Sequence, residues 1–235
     1  MEAHKVWLSR DNTKKNYENI FENSNGKHVW FWDEAWYTKE QLEHLLNLNN
    51  DNINKLLNNP LIPETLYSKC YNTSGCNISH IYMYNIVTTE YKNVEDIGDI
   101  LEFGGGYGNM CRCFFHSGFK NKYYLRDLPN QINIQKSYLK KCNIEPEQLY
   151  FNVENYKIDC FIASWSLSET PISLRDEFLS KLDANFIFIG FQHKFREVDN
   201  LHYFKNYISK NNNYDWKLMK WFGDRNSVLI GKKRL

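Results

Sequence analysis

The feature that most limits what this chain can fold into is "ILEFGGGYGNM", residues 100 to 110. An apolar run leads into four glycines, and a mixed, helix-like stretch follows. A backbone stripped of side chains between a strand and a helix is a ligand-approach turn of an α/β sheet. The flanking pattern agrees. From about residue 97 short apolar runs alternate with amphipathic stretches. "DILEF", "KYYLRD", "QLYFNV", "DCFIASW" and "NFIFIGF" read as strands. "NMCRCFFHSGF", ended by Gly118, reads as a helix, as do "PNQINIQKSYLKKC", "SLRDEFLSKL" and "DNLHYFKNYISK". "WKLMKWF" and "NSVLIGKKR" then form two strands joined by the turn "GDRN". The expected fold class is α/β: a Rossmann-like, seven-stranded, mostly parallel sheet with an antiparallel C-terminal hairpin. Residues 96–235 form this domain.

Residues 1–95 have another texture, Asn-rich and aromatic, and are expected to form a mainly helical N-terminal cap over the cleft. In "TKEQLEHLLNLNNDNINKLLNN" Leu42, Leu45, Leu46, Ile53, Leu56 and Leu57 recur at helical spacing. Thr38 and Gln41 have capping-box spacing, and Pro60 and Pro63 end the pattern. A helix is expected over 78–91 with Ser79 at its N-cap, and "SNGK" (24–27) is a turn. Trp30, Trp32 and Trp36 are either an acceptor platform or apolar filling beneath the cap.

Bulk properties exclude several classes. Lys+Arg number 29 against Asp+Glu 28, so no excess of positive charge favours a nucleic acid partner. No apolar run is long enough for a membrane span, and "MEAHKVWLSRDNTKK" has no apolar stretch, so neither a span nor a secretory leader is expected. The 6 cysteines include no C-x-x-C pair, which fits reduced structural thiols in a cytoplasmic setting. No carboxylate or histidine cluster follows the fourth strand, so no metal is expected.

The spacing of the glycines selects among ligands. No lysine follows them, which disfavours a triphosphate loop, and Asn109 stands where a dinucleotide fingerprint needs its third glycine. What remains is Glu102-x-Gly104-x-Gly106-x-Gly108, the form found in methyltransferases that use S-adenosylmethionine. Glu102 is placed to meet the cationic amino end of that ligand. Asp127 ends the second strand and offers a carboxylate to the ribose hydroxyls.

Three segments, "ILEFGGGYGNM", "YYLRDLPNQ" and "ASWSLSETP", resemble the sugar O-methyltransferases, in which E-x-G-G-G-Y-G is followed by D-L-P and then S-x-S-E-[MT]-P. The resemblance covers about 100 to 195. It implies the seven-stranded methyltransferase fold, ribose binding by Asp127 and packing of Leu128 near the adenine. Adenine in such folds is commonly met after the third strand, which by the same analogy makes Asn152, Val153 and Glu154 alternative candidates for that contact. The implied acceptor is a small-molecule or glycan sugar hydroxyl.

A sugar hydroxyl needs a base to take its proton. Positions after the fourth and fifth strands are the places for one. Ser164, Trp165, Ser166 and Glu169 follow the fourth, with Ser164 on the cofactor side and Trp165 and Ser166 on the acceptor side. Glu169 is a base or, with Ser166, half of a capping box. His193 follows the fifth strand and is a base or a surface loop histidine. His80 lies on a helix expected to cover the cleft and is an acceptor contact or an ordinary helix residue; His116 is a structural or exposed residue. Two other functions fit the same motifs: a methyltransferase for another small molecule, and a non-catalytic adenosyl-binding partner subunit.

Overall fold

The computed structural model describes residues 36–62, 71–144, 146–154, 157–221 and 224–234. The expected turn at 24–27, Trp30, Trp32, Pro63 and Cys70 lie outside these residues, as does the side chain of Trp36.

The leucine stripe of 38–59 forms two helices, α1 (Trp36–Asn47) and α2 (Asp51–Leu57). Asn49 adopts a φ of 48°, which no helix accommodates, and the Asn50 side chain accepts from the amides of Asn52 and Ile53 to start α2. Thr38 and Gln41 lie within α1, not at its start, so they form no capping box. Gln41 instead accepts from the Ser79 hydroxyl at 2.7 Å. Ser79 is correspondingly interior to α3 (Gly75–Thr88). The N-cap of α3 is Ser74, whose oxygen accepts from the Asn77 amide.

The sheet then begins. β1 (Ile100–Phe103) leads to α4 (Asn109–His116), and β2 (Tyr123–Arg126) to α5 (Pro129–Lys141). β3 (Leu149–Phe151), β4 (Cys160–Ser164), α6 (Ile172–Ser180) and β5 (Phe186–Gln192) follow. A two-residue antiparallel pair, β6 (Lys194–Phe195) and β7 (Val198–Asp199), which the sequence pattern does not predict, precedes α7 (Asn200–Lys210). β8 (Tyr214–Lys220) and β9 (Asn226–Lys233) close the chain as the expected hairpin.

Among the described residues seven strands form one sheet in the order β3-β2-β1-β4-β5-β9-β8. The first five are parallel, with Ile100 beside both Tyr123 and Cys160, and Cys160 beside Phe186. β9 runs antiparallel to β5 and β8. The chain leaves β1 toward β2 and β3, then returns to β4 on the other side. The carboxyl ends of β1 and β4 therefore flank a crevice where open α/β sheets bind ligands.

Both faces of the sheet are covered, which explains the unbroken burial from Phe186 to Phe191. Ile100, Ile162 and Phe188 pack with residues of the helical region and of α4 and α5, among them Leu56, Ile81, Met110 and Leu139. Leu101, Phe161 and Ile187 pack on the opposite side with Phe178 of α6 and Phe204 of α7. Each such side chain contributes about 1.5–3 kcal/mol when fully buried. The described helices before residue 95 share the first of these cores with the sheet. Cys76, Cys111, Cys113, Cys142 and Cys160 are buried free thiols. No helix among the described residues is long and apolar enough to cross a membrane.

Candidate functional site

The glycine loop continues β1 directly, since the Gly104 amide donates to the Arg126 carbonyl at 2.8 Å. Gly104, Gly106 and Gly108 have φ values of 72°, 57° and 96°, a region that side-chain-bearing residues rarely adopt. Gly104 and Gly105 are also packed too closely for a Cβ. One on Gly104 would lie 2.1 Å from Ser166 Cβ, and one on Gly105 would lie 2.7 Å from Leu125 Cδ2 and 3.1 Å from Glu102 Oε2. Gly108 is the N-cap residue of α4.

Two acids lie against this loop. Glu102 is buried on β1 and accepts from the Tyr123 hydroxyl at 2.9 Å. Burial pushes its carboxyl up to about 8; the Tyr123 bond pulls it down and the Asp127 charge raises it further. Asp127 is also buried, and burial raises it to about 7 against the downward pull of its donors. Its Oδ1 accepts from the Leu128 amide at 2.8 Å, and its Oδ2 from Gln135 Nε2 at 2.8 Å. The same Gln135 nitrogen donates to the Gly106 carbonyl at 3.1 Å. Asn152 clamps the backbone of Asp127, its Oδ1 accepting from the Asp127 amide at 3.0 Å and its Nδ2 donating to the Asp127 carbonyl at 2.9 Å. The turn at Asn152 has a φ of 52°. Leu128 is buried at the start of α5, whereas Val153 and Glu154 are exposed.

The segment after β4 closes the other side of the loop. The Ser166 hydroxyl donates to the Phe103 carbonyl, which brings its Cβ against Gly104. The Ser164 hydroxyl is buried and has no hydrogen-bond partner among the described residues. Trp165 has a φ of 63°, a strained conformation for a bulky residue and one that gathers at functional sites. Its ring lies over Gly190 and meets Trp221 edge-on at 5.5 Å, and Trp221 meets Tyr82 of α3 at 5.3 Å. Residues Ser166–Glu169 form a 3-10 turn without a side-chain cap bond. Ser166 follows the N-cap residue of this turn, Trp165, and its hydroxyl donates to the Phe103 carbonyl. Glu169 faces β5, accepting from Gln192 Nε2 at 3.1 Å. Arg175, fully buried, donates to the carbonyls of Ser168 and Thr170 at 2.8 and 3.1 Å and stacks over Tyr203 at 4.5 Å. It holds the turn from beneath.

The histidines separate. His193 follows β5, its Nε2 is 2.8 Å from the Ser227 hydroxyl, and its ring is on the side of Phe191. Its backbone bonds go to Arg225, Asn200 and Leu201, none of them in the glycine loop. His80 does reach the loop: Nδ1 is 3.2 Å from Asn109 Nδ2 and the ring is 5.8 Å from that of Tyr107. Burial, helped by the Arg112 charge, lowers its pKa to about 4, so its imidazole is neutral at pH 7. His116 bonds the Cys142 carbonyl at 3.0 Å.

Two side chains in this region escape sequence reading. Gln135 is one. Arg112 is the other, buried with no carboxylate partner among the described residues and donating to Asn109 Oδ1, Asn77 Oδ1 and the Leu56 carbonyl at 2.8, 2.9 and 3.1 Å. It thereby joins α2, α3 and α4 just behind the glycine loop. The available signal is a polar residue on a core-facing stripe: Arg112 between two cysteines, and Gln131 and Gln135 in line with Tyr138 and Leu139. Among the described residues no group of three or more His, Cys, Asp or Glu side chains is placed to hold a metal.

No family model and no curated protein matches the chain. Solved structures do. The O-methyltransferase from Bacillus cereus in complex with SAH is 10% identical, with 85% of this chain and 92% of that one covered at a TM-score of 0.50. A SAM-dependent methyltransferase from Aquifex aeolicus is 13% identical over 64% of this chain and 89% of that one, TM-score 0.46. A chain of the Pnkp1/Rnl/Hen1 RNA repair complex is 12% identical over 64% of this chain, TM-score 0.48; this chain spans only 40% of that one. With its strand order and its match to the Bacillus cereus enzyme, the chain has the Rossmann-like fold of the methyltransferases.

Proposed function

We propose that the chain is an S-adenosylmethionine-dependent O-methyltransferase acting on a sugar hydroxyl, glycan-, nucleotide- or lipid-linked. The observation that carries the cofactor assignment is the arrangement at the end of β1. A loop without room for a Cβ at Gly104 and Gly105 is joined through Gln135 to the acid that ends β2. The donor and acceptor set fits the ligand. Asp127 accepts from the ribose hydroxyls, and Glu102 meets the amino end. The unpartnered Ser164 hydroxyl supplies a further polar contact. Leu128, Asn152 and Val153 border the adenine.

S-adenosylmethionine, when bound, supplies a methyl group already activated on a sulfonium. The protein's own work is alignment and proton removal. Trp165, Ser166 and His80 line the acceptor side, where the ring faces of Trp165 and of a sugar complement each other. Glu169 and His193 are the two groups beyond β4 and β5 that can take the acceptor proton. Glu169 receives it on a carboxylate oxygen. His193 receives it on Nδ1 in the tautomer whose Nε2 donates to Ser227.

The test is transfer of labelled methyl from S-adenosylmethionine to a panel of sugar nucleotides, glycans, other small alcohols and a short RNA. Glu169→Ala and His193→Ala are run beside the wild type. Label on a sugar, lost in one of the two variants, supports the proposal and identifies the base. Label on RNA or on a non-sugar alcohol overturns the acceptor class, and wild-type rates in both variants overturn the base. Tight binding without transfer to any acceptor would leave a non-catalytic partner subunit.

A further inference from the structure

We propose that Gln135 is a positioning residue: its amide clamps the Asp127 carboxylate to the glycine loop and keeps that acid an anionic acceptor for ribose hydroxyls. This rests on the adenosyl-site assignment above and adds to it a residue that touches neither ligand nor acceptor.

Gln135 is fully buried on α5. Both hydrogens of its Nε2 are used, one on Asp127 Oδ2 at 2.8 Å and one on the Gly106 carbonyl at 3.1 Å. This fixes the orientation of the amide, because its oxygen turned to the same place would meet two acceptors. The bridge needs one neutral atom carrying two donors at the reach of a four-atom side chain. Glutamate offers acceptors only, and asparagine is one methylene shorter. Asp127 is therefore held at three points on two elements: by the Leu128 amide at the start of α5, by Gln135 within α5, and by Asn152 of the β3 turn.

The clamp has an electrostatic consequence. Burial drives the Asp127 carboxyl up to about 7, and the bonds from Leu128, Gln135 and the loop amides oppose that rise. Among the described residues Glu102, from β1, is the titratable group coupled to it. The neighbours from the loop, α5 and the β3 turn are Gly105, Gly106, Gln135 and Asn152, none of which titrates. A protonated Asp127 has given up one acceptor site to its own proton. Loss of the Gln135 donor raises the pKa and moves this loss of acceptor strength to higher pH.

The experiment is the pH dependence of S-adenosylhomocysteine affinity, by calorimetry, for wild type and Gln135→Met, a near-isosteric change without donors. The wild type is expected to bind more weakly as pH falls through about 7. Gln135→Met is expected to show that midpoint about one pH unit higher, as loss of one charge-assisted hydrogen bond implies. Identical midpoints and affinities in the two proteins overturn the proposal. If Gln135→Met does not fold, Gln135→Glu is measured in its place. It places a second acid beside Asp127 and is expected to lose binding above about pH 7, whereas unchanged binding overturns the proposal. No binding by the wild type at any pH is a distinct result, which removes the adenosyl-site assignment itself.

Discussion

Gly104→Ala separates the two reasons for a glycine at the end of β1. The first is conformational. At a φ of 72° an alanine stands in the left-handed region, at a cost of about 1 kcal/mol. The second is steric. The new Cβ would lie 2.1 Å from Ser166 Cβ and 2.3 Å from its Oγ. Ser166 cannot retreat without giving up its bond to the Phe103 carbonyl. Overpacking of this kind adds about 2 kcal/mol, so the single variant should lose about 3 kcal/mol. Ser166→Gly alone loses the hydrogen bond, about 1 kcal/mol. The double variant keeps the conformational penalty and the lost bond but not the clash. It should therefore be less destabilised than the sum of the singles by about 2 kcal/mol. Urea unfolding of the four proteins measures this, provided the m-values agree. Additivity within about 0.5 kcal/mol would refute the reasoning, because Ser166 would then not be what excludes a side chain at Gly104.

The raised carboxyls predict how stability follows pH. Glu102 moves from 4.5 in its ordinary range to about 8 in the folded chain, so between those values the folded state binds its proton more tightly. Its stabilising share is complete below the lower value and is lost as pH rises through the upper one. Asp127 acts with the same sign between 3.8 and about 7. Thermal melting across this range should fall with rising pH, and Glu102→Gln should fall less; parallel curves would contradict the assignment. Arg112→Lys should cost about 2 kcal/mol in urea unfolding, since one ammonium cannot span Asn109, Asn77 and the Leu56 carbonyl as the guanidinium does. A loss below about 0.5 kcal/mol would mean that those bonds contribute nothing net.

Where the chain alternates, its fold is legible because burial on both faces leaves a simple signal. In "NFIFIGF" the run from Phe186 to Phe191 has no polar side chain to hide and becomes β5, between β4 and β9. The glycine loop is legible for a different reason: a glycine marks a place where a Cβ does not fit, and Gly104, with its left-handed φ and Ser166 Cβ against it, is such a place. Side-chain commitments are what one-dimensional spacing misses. Ser166 and Glu169 stand at the separation of a capping box, yet the Ser166 hydroxyl goes to Phe103, a partner 63 residues away. Ser79 and Gln41 each have a cap's chemistry and spend it on each other across two helices. Gln135 and Arg112 sit inside apolar stripes and read as interruptions until the sheet brings Asp127 and the α2 carbonyl to them. Asn49 breaks a leucine stripe that continues on both sides, because helical periodicity survives a short left-handed turn.

The central claim is that the glycine loop and Asp127 together bind an adenosyl ligand. It is tested most directly by a thermal-shift titration with S-adenosylhomocysteine, NAD and ATP in parallel, on wild type and Asp127→Ala. A ligand at about 100 times its dissociation constant stabilises its protein by about 2.7 kcal/mol, which is readily seen. A shift with S-adenosylhomocysteine alone is expected, lost in Asp127→Ala. A shift with NAD or ATP instead, or no shift with any of the three, would contradict that claim.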